Sequence, residues 1–122
     1  MQSTIIHELT HAWQHKALPL NDLAKALPKT TRDKQITILL EGHAVYVELD
    51  AMDGMGEGAY AARLKKEYEN RDDVYGYGYK FVSEYITKQR IQGSYVTPFS
   101  AMQSLVDDVI NKEVVIPCPE DL

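Results

Sequence analysis

The segment TIIHELTHAWQH, residues 4–15, places His7 and His11 four residues apart with Glu8 beside the first. On an α-helix this spacing sets the two imidazoles on one face, one turn apart. Two rings so placed reach one tetrahedral zinc ion. Glu8 lies about 100° further round the axis, too poorly directed to be a co-ligand. It is well placed to hold the water on the metal, which is the geometric sense of the H-E-x-x-H pattern. His15 is another turn on, and about 12 Å along the axis from His7, so both cannot bind one ion. It reads as a surface or supporting residue. A catalytic zinc held by two histidines still lacks a protein ligand, so the chain has to bring a second element against this helix. His43, Glu41, Glu48 and the remaining carboxylates are the candidates.

The rest of the chain reads as helices with clear breaks. The first helix spans 4–17, with Ile5, Leu9, Ala12, Trp13 and Ala17 as the apolar stripe expected to face the core, and Pro19 as its stop. The histidines then point away from that core side. A short segment, Asn21–Leu27, is closed by Pro28. Thr30 and Thr31 are N-cap candidates for a helix to about Met52, with a stripe of Ile36, Leu40, Ala44, Val47 and Ala51. The run DGMGEG at 53–58 breaks it. An exposed helix over Ala59–Asn70 follows, then one capped by RDD at 71–73 and running to about Gln92, with Gly93 as its stop. Thr97 and Pro98 open a helix to about Asn111. VVIP, at 114–117, is a short strand or an extended tail. The expected fold is mainly α, with little or no sheet, over a single domain of residues 1–122.

Hydrophobic residues make up 44 % of the chain, enough for a real core. A net charge of −5 argues against a general nucleic-acid binder. No apolar run is long enough to span a membrane, and none reads as a signal peptide. The single cysteine, Cys118, makes no intrachain disulfide and leaves the compartment unknown.

The sequence LLEGHAVYVE, residues 39–48, resembles the EG-x-A-x-Y-x-E helix of the gluzincin zinc metallopeptidases. HELTHAW is similar to the HE-x-x-H-x-W form of aminopeptidases in that clan. The resemblance implies that Glu41 is the third zinc ligand, beside His7 and His11. It also implies that Gly42 lets this helix approach the first one closely. The 30 residues between His11 and Glu41 exceed the usual gap, the excess falling in Leu18–Lys29. His43, about 200° round the helix from Glu41, reads as a packed, hydrogen-bonded histidine. Glu48, two turns on from Glu41, is either a hydrogen-bond acceptor for a ligand imidazole or a solvated carboxylate. The segment DVYGYGYKF, at 73–81, is similar to the Y-x-x-G-(F/Y) segment of aminopeptidase-like gluzincins. There the tyrosine stabilises the oxyanion, a role that falls on Tyr75; Tyr77 and Tyr79 read as packing residues. Tyr75 itself is equally open to a packing role.

The expected function is therefore zinc-dependent hydrolysis of peptide bonds in a peptide or protein substrate, with Glu8 as general base and Tyr75 as oxyanion donor. Members of the clan carry a sheet-bearing lobe ahead of the H-E-x-x-H helix. The expectation is that this chain is the helical catalytic portion of a longer peptidase lacking that N-terminal lobe, completed by it or by self-association, and poorly active alone. The alternative is a non-catalytic metal-binding or protein-interaction module. An intact Glu8 favours hydrolysis, because a purely structural site has no use for a base. A helical protein without metal would need all of these matches to be accidental.

Overall fold

The computed structural model describes residues 2–93 and 96–122. It is mainly α, with six helices and no strand among the described residues: α1 Gln2–Ala17, α2 Leu20–Ala26, α3 Arg32–Gly54, α4 Gly58–Glu69, α5 Val74–Ile91 and α6 Pro98–Ile110. The local chemistry sets the ends. Asp73 caps α5 by accepting from the Gly76 N–H. Thr97 accepts from the Ser100 N–H while the Ser100 hydroxyl accepts from the Thr97 N–H, with Pro98 in the first turn of α6. Thr31 occupies the N-cap position of α3 without a side-chain cap; its hydroxyl donates instead to Gln35 Oε1 at 2.7 Å. Among the described residues no helix is long and apolar enough to cross a membrane.

Helix α3 is the axis of the fold, with α5 and α1 as its principal neighbours and α4, α6 and α2 closing round it. Its burial is correspondingly wider than the single stripe expected from sequence. Ile38, Leu39, Leu40, Gly42, His43, Ala44, Val45 and Val47 are all buried, because partners lie on most sides. One apolar cluster joins Ile38 and Leu39 to Leu23, Val82, Ile86, Met102, Leu105 and Ile116. A smaller one, towards the far end of α3, joins Val45, Leu49 and Met52 to Ala61 and Tyr79. Segment 114–117 is the extended tail of the two sequence options. Buried Ile116 seats it, and its carbonyl accepts from Gln35 Nε2 at 2.9 Å.

Two expectations are corrected. Helix α1 does not bury Ile5 and Leu9, which are 60 % and 64 % exposed. It turns Thr10 and Gln14 inward, with His7 and His11 half-buried beside them, because its partners on α3 are polar. Trp13 alone of that stripe's large residues reaches the core, packing beside His43 and Phe99. The second correction concerns Gly42. The helix it admits is α5, not α1: a Cβ on Gly42 would fall 2.1 Å from the Gly78 carbonyl carbon. Gly78 in turn has Gly42 and the Ile38 carbonyl in that space.

Candidate metal centre

The glycine crossing and the α1–α3 contact meet at Glu41. Residue 41 precedes Gly42, and Tyr75 lies about one turn before Gly78, so the close approach of α3 and α5 brings the phenol to the carboxylate. From the other side, α1 lays both histidines on the same group. His7 Nε2 is 3.2 Å from Glu41 Oε1, and His11 Nε2 is in direct contact with it. The two rings are edge to face, 4.8 Å between centroids. One ligand atom from each of His7, His11 and Glu41 lies within 4.8 Å of the others, and all three residues are half-buried. A tetrahedral zinc with bonds of about 2.1 Å sets its ligand atoms about 3.4 Å apart, so the cluster is of the right size.

The polarity of the groups also fits a cation. His7 Nδ1 is 3.4 Å from Glu48 Oε1. Carboxylates only accept, and both ring nitrogens of His7 face one, Nδ1 towards Glu48 and Nε2 towards Glu41 at 3.2 Å. A ring lone pair facing a carboxylate oxygen needs a positive charge between them, either a ring proton or a metal ion. Glu48 thus stands as a hydrogen-bond acceptor within reach of the His7 ring, the contact that one of its two sequence readings called for. Behind His11, Gln14 Oε1 lies 2.8 Å from Nδ1, and Gln14 Nε2 contacts the Leu40 carbonyl at 3.0 Å and His43 Nδ1 at 2.9 Å. His43 is fully buried and hydrogen-bonded to the Pro98 carbonyl, as its packed reading required. Burial pushes its pKa down to about 4, opposed by the Pro98 carbonyl and reinforced by the nearby His11.

Glu8 is exposed on α1 next to His7, and no hydrogen bond or ion pair engages it among the described residues. Tyr75 has its pKa raised, chiefly by the Glu41 charge, then by burial and by hydrogen bonding to the same carboxylate. The Arg71 guanidinium stacks 5.2 Å over the Tyr75 ring, held by Asp73 at 2.9 Å from Nε. Tyr79 is buried in the smaller cluster, and Tyr77 is packed against the larger one. His15 does not join the three ligand candidates. It lines an open depression beside them with His11, Ile36, Thr37, Leu40 and Glu41. Sequence reasoning missed Gln14, although its place three residues after His11 put it on the histidine face. Pro98 and Arg71 carried no such signal.

No family model, no curated protein and no solved structure matches this chain.

Proposed function

We propose that this chain forms the zinc site of a gluzincin-like metallopeptidase that hydrolyses peptide bonds. The observation that carries the reading is the convergence of three metal-ligating side chains from two helices on one point, with Glu8 left unengaged beside them. His7, His11 and Glu41 would hold the metal. Zinc bound by them supplies a Lewis acid and lowers the pKa of a water molecule.

The remaining work falls to the chain's own groups. Glu8, an exposed carboxylate next to a ligand, accepts the proton of the attacking water and delivers it to the leaving amine. Tyr75 keeps its proton, since its pKa is raised, and so offers an O–H donor where negative charge develops on the substrate carbonyl oxygen. Glu48 and Gln14 hold the two imidazoles in place from behind.

The test is a chelator-competition titration of the purified chain, paired with a peptide-library assay. One zinc per chain is expected, with affinity falling about ten-fold or more in Glu41→Ala. Glu8→Gln is expected to keep the zinc and remove hydrolysis. Unchanged affinity in Glu41→Ala overturns the ligand set. Turnover within a few-fold of wild type in Glu8→Gln removes Glu8 as the base.

A further inference from the structure

Gln14 and His43 are both fully buried, and neither belongs to the ligand set. A buried amide beside a buried imidazole is costly unless every hydrogen is matched. The matching here has one solution. The Pro98 carbonyl, 3.0 Å from His43 Nε2, can only accept, so Nε2 carries the ring hydrogen. The Leu40 carbonyl, 3.0 Å from Gln14 Nε2, can also only accept, so that atom is the amide nitrogen. Its second hydrogen points to His43 Nδ1 at 2.9 Å, which is therefore a lone pair. The amide is fixed end for end, and its Oε1 accepts from His11 Nδ1 at 2.8 Å. With Nδ1 committed to Gln14, Nε2, the atom beside Glu41, is the ring position of His11 that a cation can take.

We propose that Gln14 and His43 are positioning residues, forming a hydrogen-bond relay from the Pro98 carbonyl at the start of α6 that locks His11 in the Nδ1–H tautomer and presents its Nε2 to a divalent cation. The purpose of the relay rests on the metal reading of His7, His11 and Glu41; its existence does not. A free imidazole in water favours the opposite tautomer, so the relay settles the ring before any ion arrives. Trp13 and Phe99 pack against the His43 ring, with centroids 5.7 and 5.9 Å away, and screen it. The relay ties a ligand on α1 to α6, a helix that contributes no ligand of its own.

The test reads the tautomers directly, by long-range proton–nitrogen correlation NMR of the histidine rings in the metal-free chain. His11 is expected to carry a hydrogen on Nδ1, and His43 to carry one on Nε2 and none on Nδ1. His11 found with no hydrogen on Nδ1 overturns the relay, whatever the chain does with zinc. His43→Leu deletes the acceptor for Gln14. It is expected to let His11 mix its tautomers and to lower zinc affinity about ten-fold. In His43→Asn the amide oxygen takes the place of Nδ1, and the His11 tautomer and the affinity are expected to hold within about two-fold. Urea unfolding of each variant measures the packing loss separately. Equal loss of affinity in the two variants, or an unchanged His11 tautomer in His43→Leu, overturns the proposal. The expected tautomers in a wild-type chain that takes up no zinc overturn the metal reading alone.

Discussion

Helix α3 meets its two main partners by opposite means. Against α5 it presents Gly42, and the backbones come together with no side chain between them at the crossing. Against α1 it presents Glu41, His43 and Glu48, which meet His7, His11 and Gln14 through hydrogen bonds. The first contact fixes distance, because two backbones in van der Waals contact have no rotamers to adjust. The second fixes direction, because each ring nitrogen must find a donor or an acceptor. A metal centre needs both. The close crossing delivers Tyr75 to Glu41, and the polar contact aims the imidazoles.

The sharpest way to break this contrast is to add one methyl group on the α5 side. Gly42→Ala places a carbon 2.1 Å from a backbone carbon of Gly78, against about 3.5–4.0 Å for ordinary contact. Both sides of the clash are helix backbone, so the helices must separate. The expected cost is ~3 kcal/mol or more in urea unfolding, at the upper end of overpacking effects. Gly54→Ala is the control: nothing lies within 4 Å of a Cβ there, and the change should be neutral or stabilising by up to ~1 kcal/mol. Equal losses at the two positions would mean that the crossing is not close.

The opposite design of the two contacts also explains what the sequence made legible. Helix ends were readable because they are local: Asp73 and the Thr97–Pro98 pair act within their own first turn. His7 and His11 were readable because a four-residue spacing already fixes their relation, and Glu41 through a motif on its own helix. Choice of partner was not readable. The stripe of Ile5, Leu9 and Trp13 announces an amphipathic helix but not which face another helix will want. Here the buried polar groups Gln14 and His43 outweigh two leucine-class side chains, since buried and unmatched they would cost more than Ile5 and Leu9 lose in water. Gly42 announces a close approach in the same way without saying of what.

On the α1 side the contrast sharpens with pH. His43 has its pKa lowered from 6.5 to about 4, mainly by burial. Above pH 6.5 it is neutral whether the chain is folded or not. As pH falls below 6.5 the unfolded chain takes up a proton that the folded chain refuses until about pH 4, so the unfolded state gains. Stability contributed by this group is therefore present above pH 6.5 and lost across that window, by about 3 kcal/mol at 1.36 kcal/mol per pH unit. His43→Asn should flatten that part of the metal-free chain's stability–pH curve. A variant curve parallel to wild type between pH 4 and 6.5 would mean that His43 is not held neutral by the fold.

The smallest effect is expected on the outer face of α1, and it tests whether that helix has one packed face or two. Leu9 is 64 % exposed, so little of the ~1.5–3 kcal/mol available from burying a leucine is realised in the fold. Leu9→Gln also retains a good helix former, which leaves the helix itself nearly unaffected. The unfolding free energy should change by no more than ~0.5 kcal/mol, the range of ordinary surface substitutions. Zinc affinity should not change, because position 9 lies about 200° round the axis from His7. A loss above ~1.5 kcal/mol would place Leu9 in a packed environment and give α1 two buried faces. The polar contact with α3 would then no longer be what holds the helix down, and the contrast with the glycine crossing would lose its basis.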